Sequence, residues 1–432
     1  MSNQKSLSER DREAVWHPFT AVRQDTLNIG LKGGEGSYLI AENGERYLDA
    51  IGSWWVNLHG HAHPDISKAV ADQASKLEHA IFAGFTHEGA VELAERLLKH
   101  MPEDHSHIFY SDNGSTAVEV GIKLAIQYWY NQGENRKRII AIDGSYHGDT
   151  FGAMSVGERG VFTQPFDSYL FEVDFIDFPE QGLEEKVFEQ FSALCEKGDV
   201  AAFVFEPLVQ GTAGMRVYSS KLLDRMMAKC KELGIITIAD EVMTGFGRTG
   251  TFLAVDQIKN KPDLIALSKG LTGGYLAMGA TSCASFLREA FWEENAGQYP
   301  ERRRFLHGHS YTGNPLACAA GLASLDLTED SSTQENIDRI SDGHSNFKID
   351  FSGLKGVKEI RHKGVILAVE FESGNGEGYF DSLRERLYDH FIERKILMRP
   401  LGNVAYILPP YCITNEELKM CYDAIIEFSE KM

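Results

Sequence analysis

Two chemically active side chains each follow an apolar, strand-like run of this chain. Lys269 ends the segment PDLIALSK, and Asp240 ends the segment GIITIAD, just before the glycine-rich turn TGFGRTG. An amine and a carboxylate at the ends of neighbouring buried strands suit pyridoxal phosphate (PLP). That cofactor needs a lysine to form its Schiff base and an acid to keep its pyridine nitrogen protonated. Taken singly, the two residues are equally well explained as a surface lysine and a turn-capping aspartate. The choice between these interpretations therefore depends on the residues of the other loops.

A candidate phosphate site lies between the strand-like run HIFYS and the helical run AVEVGIKLAIQYWY. It contains Gly114, Ser115 and Thr116. Glycine lets the backbone approach a phosphate, and a helix N-terminus points free N–H groups and a positive dipole end at it. A plain helix N-cap accounts for the same residue types. The motif alone therefore indicates a phosphate of unknown type.

Two further strand ends carry side chains that could contact a flat ring or a ligand. Tyr146 and His147 follow the run RIIAID, and Glu206 follows AAFVF and precedes a proline. Ligands bind outside the carboxyl ends of the strands in open α/β sheets. An aromatic ring at such an end could stack on a heteroaromatic cofactor. A packed turn tyrosine and a strand-end glutamate remain the simpler alternatives.

A tryptophan pair and two arginines are candidates for substrate binding. Trp54 and Trp55 sit on a glycine-flanked loop, where they either fill a gap in the core or wall a pocket for a large organic substrate. Arg248 and Arg399 are the best carboxylate-binding candidates, because the guanidinium fork matches a carboxylate.

The loop HGHSYTGNP precedes a helical run and carries two histidines one residue apart. No acidic residue stands at a spacing that would complete a metal site with them. The hydroxyls of Ser310 and Thr312 suit a phosphate better, so no metal is expected here.

Strand-like and helical segments alternate through the region that must position these residues. Buried strands are predicted at 107–111, 138–142, 201–206, 235–239, 264–268 and 279–283. Helices are predicted at 64–78, 88–100, 115–131, 184–196, 219–233 and 315–327. This alternation indicates a mostly parallel sheet covered on both faces.

The length of 432 residues exceeds one typical core, so two domains are expected. The polar stretch TEDSSTQENIDR marks the predicted boundary, and the pattern after it changes to α+β character. We therefore expect a large domain over 61–329 and a discontinuous small domain made of 1–60 and 330–432.

Composition excludes several classes of function. The net charge of −20 argues against nucleic acid as a partner, since phosphate neutralisation needs a basic face. No apolar run is long enough to span a membrane, and the polar N-terminus lacks a signal-peptide core. The six cysteines are scattered without a CxxC pair, which favours reduced thiols. A cytoplasmic protein is expected.

The motifs together resemble a known family. In order along nearly the whole chain, SDNGSTAVE, YHGDT, FEPLVQG, ADEVMTGFGRTG, LSKGL and HGHSYTGNPLA resemble the class III PLP-dependent aminotransferases. WHPFT, SWWVNLHGHAHP, YHGDTFGAMSVG and MRPLGNVAYILPPY further resemble the members of that class that aminate 8-amino-7-oxononanoate to 7,8-diaminononanoate in biotin biosynthesis.

The resemblance implies an α/β structure, the PLP-dependent transferase fold type I. Its large domain would hold a mostly parallel seven-stranded sheet beside a smaller α+β domain. It also implies a homodimer with two active sites at the interface, and small-molecule substrates.

Roles for individual residues follow from the same resemblance. Lys269 would form the Schiff base and move the substrate proton, Asp240 would pair with the pyridine nitrogen, and Tyr146 would stack on the ring. The other cofactor contacts would be Gly114, Ser115, His309 and Ser310, with Ser310 arriving from the partner subunit. Arg399 would hold the substrate carboxylate, and the other substrate-binding residues would be Phe19, Trp54, Trp55, Tyr146, Asp149, Arg248, Gly308 and Tyr406.

One departure from the family pattern concerns the amino donor. Phe19 in WHPFT stands where most members that use S-adenosylmethionine have tyrosine. A site built around a hydroxyl can lose discrimination when that hydroxyl is absent. S-adenosylmethionine is the expected donor, with lysine as the alternative.

Two other hypotheses compete with this function. A broader ω-aminotransferase acting on ornithine, GABA or amines is disfavoured by Trp54 and Trp55, because small substrates need no long aromatic tunnel. A non-catalytic protein on the same fold is disfavoured by the intact Lys269 and Asp240.

Overall fold

The computed structural model describes residues 5–20, 27–293, 303–373 and 381–432. The strands are β1 (Leu31–Glu35), β2 (Tyr38–Ala41), β3 (Arg46–Asp49), β4 (His105–Ser111), β5 (Arg138–Ile142), β6 (Asp174–Ile176), β7 (Val200–Phe205), β8 (Val209–Gln210), β9 (Arg216–Val217), β10 (Ile236–Asp240), β11 (Leu264–Leu267), β12 (Gly279–Ala284), β13 (Val357–Lys363), β14 (Ile366–Phe371), β15 (Ile396–Leu397) and β16 (Val404–Ile407). The α-helices are α1 (Leu7–Ala14), α2 (Gly52–Trp55), α3 (Pro64–Ala74), α4 (Glu88–Leu98), α5 (Gly114–Gln132), α6 (Phe151–Ser155), α7 (Glu184–Cys195), α8 (Ser220–Leu233), α9 (Ser285–Glu289), α10 (Pro315–Glu329), α11 (Ser331–Asp350), α12 (Leu383–Glu393) and α13 (Asn415–Glu430).

The central sheet has seven strands in the order β4-β12-β11-β10-β7-β5-β6. Strand β12 runs antiparallel to both of its neighbours, and the remaining pairs are parallel. The predicted mostly parallel seven-stranded sheet is thus confirmed. Each strand predicted from its apolar run is present, whereas the edge strand β6 was not predicted because three residues carry no readable pattern.

The sheet separates two apolar cores because successive side chains of a strand point to opposite faces. In β7, Phe203 and Phe205 belong to one core, while Ala202 and Val204 belong to the other. Burial on both faces explains why the central strands are continuously apolar rather than alternating. The polar side chains that end these strands are consequently presented at the edge of the sheet.

The beginning and the end of the chain meet in a smaller sheet. Its strand order is β1-β2-β3-β15, and β15 pairs in parallel with β3 through Ile396 opposite Leu48. A second, antiparallel sheet has the order β13-β14-β16. This pairing supports the discontinuous small domain, whose boundaries stay predictions.

The polar stretch chosen as the domain boundary is mostly helical. Helix α11 begins directly after Asp330, whose side chain accepts the N–H of Ser332 at 2.8 Å. Ile337, Ile340 and Phe347 are buried on one side of this helix. The polar residues form its solvent face, a pattern that a short polar window cannot distinguish from a loop.

The described residues contain no helix long and apolar enough to cross a membrane and no cluster of metal-ligating side chains. All six cysteines fall within these residues, and each is a free thiol.

Candidate active site

The carboxyl ends of β7, β10 and β11 meet at one cavity of about 580 Å³. Glu206, Asp240 and Lys269 line it: Asp240 is the last residue of β10, and Glu206 and Lys269 come after the ends of β7 and β11. The side chain of Lys269 reaches the ring of Trp55, with Nζ 4.7 Å from the ring centroid. The sequence-predicted lysine and aspartate therefore do come together.

Lys269 adopts a strained backbone conformation, with a φ of 43°. A left-handed residue other than glycine costs about 1–3 kcal/mol and persists where the surrounding structure imposes it. Here the tight turn from β11 into a short 3-10 helix imposes it, and the turn directs the amine into the cavity.

The charge state of Lys269 is finely balanced. Burial lowers its pKa to about 8, although the carboxylates of Asp240 and Glu206 oppose that change. The guanidinium of Arg248 lowers the pKa further. An amine with a pKa near neutrality can serve both as a nucleophile and as a general base.

Asp240 is fixed by two hydrogen bonds. Nδ1 of His147 lies 2.7 Å from Oδ2, and the N–H of Val242 donates to Oδ1 at 3.0 Å. Asp240 and His147 are both buried. A buried carboxylate held in this way remains a directed acceptor for a cationic N–H in the cavity.

The start of helix α5 forms a cradle for an anion. Asn113 caps this helix by accepting the N–H of Thr116 at 3.0 Å. The N–H groups of Gly114 and Ser115 have no intrahelical acceptor, because they stand at the start of the helix. A Cβ atom at Gly114 would lie 2.7 Å from Cγ1 of Val242, so only glycine fits beside the cavity.

Tyr146 lies between the cradle and the sheet edge and lines both main cavities. Burial raises its pKa, and the carboxylate of Asp149, which its hydroxyl contacts, adds to this increase. The backbone N–H of Asp149 donates to Oγ of Ser115 at 3.1 Å. Tyr146 therefore stays neutral, and its contact with Asp149 connects its ring to Ser115 of the anion cradle.

A larger cavity of about 1380 Å³ extends outward from Lys269. Trp55 is 3% exposed and donates from Nε1 to the Tyr406 hydroxyl at 3.0 Å, whereas Trp54 is 41% exposed. Both line the cavity. Both roles that the sequence suggested for the tryptophan pair are present. Trp55 packs into the core, and both residues wall the pocket.

Phe19 and Arg399 stand at the outer part of this cavity. The Phe19 ring packs against Trp54 at 5.6 Å and against Phe162 at 6.0 Å between centroids. Arg399 lies 5.1 Å from the Trp54 ring centroid and donates from Nη2 to the Phe19 carbonyl at 2.7 Å. The Arg399 guanidinium thus lines the same aromatic-walled cavity as Lys269.

The expected contribution of Arg248 to substrate binding stays a prediction. Its side chain is 1% exposed, lines neither cavity, and donates to the carbonyls of Pro409 at 2.8 Å and Trp55 at 3.2 Å. The backbone around Trp55 is irregular, with φ values of 58° at Ser53 and 66° at Trp55, although the N–H of Trp55 still donates to the Ile51 carbonyl at 3.1 Å. Arg248 satisfies this backbone and acts on the pocket through Trp55.

Gly308, His309 and Ser310 line neither cavity of this protomer. Nδ1 of His309 lies 3.4 Å from Oδ2 of Asp112, close to the start of α5. The expected roles of these three residues stay predictions, and among them Ser310 was expected to act from the partner subunit.

Three residues of the site were not assigned from sequence. His147 holds Asp240, Glu206 lines the cofactor-sized cavity, and Phe162 extends the aromatic wall. His147 and Glu206 stood in strand-end motifs, which was the available signal. Phe162 sits in a turn without any pattern that would identify it.

The residues of the smaller cavity fit PLP. A phosphate matches the free N–H groups at the start of α5, a cationic ring nitrogen matches Asp240, and an aldehyde matches the amine of Lys269. All of these groups line one cavity, and the glycine that the cradle requires is present.

The fold and the site define an α/β enzyme of the PLP-dependent transaminase type. The family profile "Aminotransferase class-III" matches residues 19–428, and the chain belongs to this family. The predicted aminotransferase is thereby confirmed.

Relatives with a named activity are similar to this chain over nearly its whole length. The chain is 45% identical to adenosylmethionine-8-amino-7-oxononanoate aminotransferase of Synechococcus elongatus, over 97% of this chain and 99% of the relative. Its structure is similar to that of the enzyme of the same name from Methanocaldococcus jannaschii, with a TM-score of 0.91, 35% identity and 98% of each chain covered. It is also similar to a PLP-bound amine transaminase from an uncultivated Pseudomonas species, with a TM-score of 0.89 and 30% identity over 96% of this chain and 98% of that one.

Proposed function

We propose that this protein is a PLP-dependent transaminase that converts 8-amino-7-oxononanoate to 7,8-diaminononanoate, the biotin-biosynthetic step. The observation that carries the proposal is the aromatic channel lined by both Lys269, beside Trp55, and Arg399, beside Trp54. An apolar wall between an amine-handling site and a guanidinium suits a long aliphatic keto acid with a terminal carboxylate. The relatives that carry this activity in their names support the assignment.

The residues of the smaller cavity would hold PLP. Gly114 and Ser115 would bind its phosphate, Tyr146 would cover its ring, and Asp240 would pair with its pyridine nitrogen. When bound, the cofactor supplies an electron sink for the pair of electrons left by the departing substrate proton.

Lys269 carries the proton in this proposal. Its amine, with a pKa of about 8, is the only group proposed here to take a proton from the substrate carbon and return one to the cofactor side. His147 and Val242 keep Asp240 oriented while that happens. Trp55, packed against the amine, limits the access of water.

A homodimer completes the proposed site. The loop that carries Gly308, His309 and Ser310 lines neither cavity of its own protomer, so it is available to the partner's site. The hydroxyl of Ser310 would then add a phosphate contact across the interface.

A direct assay tests the proposal. The purified enzyme with PLP is incubated with 8-amino-7-oxononanoate and either S-adenosylmethionine or lysine, and diaminononanoate is measured by mass spectrometry. Formation of the diamine with at least one donor is expected. The structural similarity to an amine transaminase favours one other function, so simple amines and ornithine are run in parallel. Turnover of these without any diaminononanoate would overturn the substrate assignment.

Replacing Arg399 by alanine is expected to raise the KM for the keto acid roughly 10- to 100-fold, the value of a charge-assisted hydrogen bond. The donor half-reaction is expected to change less, because the donor need not share this carboxylate contact. Steady-state kinetics of both half-reactions check the result. Arg394→Ala is a matched control, since Arg394 forms a surface pair with Glu427 away from the channel. An equal loss in both half-reactions would contradict the role given to Arg399.

Replacing Phe19 by tyrosine is expected to raise the preference for S-adenosylmethionine over lysine by about 5- to 10-fold, the value of one added hydrogen bond. The aromatic contacts with Trp54 and Phe162 can remain, because the ring is unchanged. The ratio of kcat/KM for the two donors measures this effect. Phe162→Tyr serves as the control that adds a hydroxyl to the neighbouring ring.

A further inference from the structure

We propose that Glu206 is a positioning residue of the reaction, whose carboxylate fixes the backbone of Tyr146, which lines the cavity that contains Lys269, by joining it to the backbone of Gly211. Oε1 accepts the N–H of Tyr146 at 3.0 Å, and Oε2 accepts the N–H of Gly211 at 2.9 Å. The Glu206 side chain therefore joins the loop after β5 to the segment around β8.

Glu206 makes more hydrogen bonds than packing of its side chain alone would require. The residue is 5% exposed, and its own carbonyl accepts the Tyr218 hydroxyl at 2.7 Å. A buried carboxylate is costly unless its lone pairs are satisfied. Two backbone donors provide that satisfaction, while the residue still lines the cavity with Asp240 and Lys269.

The charge of Glu206 also acts on Lys269. Burial and the Asp240 carboxylate raise the pKa of Glu206 to about 7, whereas His147 and the two backbone donors oppose this rise. Among the groups that act on Lys269, Asp240 and Glu206 favour its ammonium form, and Arg248 disfavours it. Two carboxylates and one guanidinium thus act on this amine in addition to its burial, and removing Glu206 would leave Asp240 as the carboxylate that opposes burial and Arg248.

A matched control exists at the same edge of the sheet. Glu241 is fully buried, accepts the N–H of Val255 at 2.8 Å, and contacts the Thr244 hydroxyl. Burial likewise raises the pKa of Glu241 to about 7. It lines neither cavity, so Glu241→Gln imposes a similar structural loss without touching the site.

The first experiment compares Glu206→Gln, Glu206→Asp and Glu241→Gln as holoenzymes by visible circular dichroism. The induced signal reports how Tyr146 and its neighbours orient the bound ring. Both Glu206 variants are expected to change this signal, because a neutral amide or a shorter side chain cannot accept both N–H groups. Glu241→Gln is expected to keep the wild-type signal.

The second experiment measures the acylation of Lys269 by acetic anhydride across pH in the full-length protein after cofactor removal, with exposed Lys68 as the internal reference. Glu206→Gln is expected to move the midpoint to lower pH by about one unit, because a nearby carboxylate favours the charged amine. Glu206→Asp keeps the charge and is expected to stay near wild type.

The inference rests on the proposed PLP site but not on the proposed substrate, since neither experiment uses the keto acid or an amino donor. If Glu206→Gln keeps the wild-type circular dichroism, as Glu241→Gln does, and also keeps the wild-type midpoint for Lys269, Glu206 is a packing residue only and the inference is overturned. A substrate assay that fails while these two results hold would overturn the substrate assignment alone.

Discussion

Replacing Lys269 by alanine is expected to lower kcat by at least about 10⁴-fold, the upper range for loss of a general acid–base group. The amine is enclosed by Trp55, Asp240 and Glu206, and no other lysine lines the smaller cavity among the described residues. The phosphate cradle at Gly114 and Ser115 is unaffected, so the variant is expected to retain PLP without a covalent link.

Single-turnover kinetics and retention of PLP on gel filtration check this expectation. Lys68→Ala is the matched control, because Lys68 pairs with Asp72 on the exposed face of α3 and lines neither cavity. A Lys269→Ala protein that turns over at near wild-type rates would remove the central role of this residue.

Replacing Asp240 by asparagine is expected to lower kcat by roughly 10²- to 10⁴-fold, because the ring nitrogen loses its anionic partner. The change also removes the charge opposite His147, whose Nδ1 lies 2.7 Å from the carboxylate. Weaker retention of PLP is expected in the same variant. The pKa of Lys269 should fall, since Asp240 is the first of the groups that raise it.

The control for Asp240 is Asp263→Asn. Asp263 is a partly buried carboxylate that accepts the N–H and hydroxyl of Thr237 at 2.8 Å, just before β11 and outside both cavities. Burial raises its pKa, so its replacement tests the cost of altering a buried acid near the same strands. Equal losses of activity in the two variants would assign the effect to stability and not to the ring nitrogen.

The sheet and its catalytic edge were predictable because their signals are local. An apolar run that ends in a polar residue marks a buried parallel strand, and Asp240 and Lys269 each stand at such an end. The carboxyl ends of parallel strands then meet by topology. The Asn43-Gly44 turn that joins β2 and β3 is a local hairpin signal of the same kind.

Features that depend on long-range packing were not predictable in the same way. Arg248 looked like a carboxylate ligand because its residue type fits that role, yet it satisfies the Trp55 and Pro409 carbonyls. Its burial follows from the irregular backbone at Ser53 and Trp55, which has no sequence signature. Helix α11 was missed for a related reason, since its three buried apolar side chains are widely spaced in a polar stretch.

The pairing of β3 with β15 means that residues made late in synthesis complete the substrate channel. During synthesis, the cradle at Gly114 and the amine of Lys269 emerge well before Arg399 and Tyr406. Trp54 and Trp55 are made early but stay without their outer partners until the last strands arrive beside β3. The residues proposed to hold the cofactor are therefore synthesised before Arg399 and Tyr406, which line the proposed substrate channel.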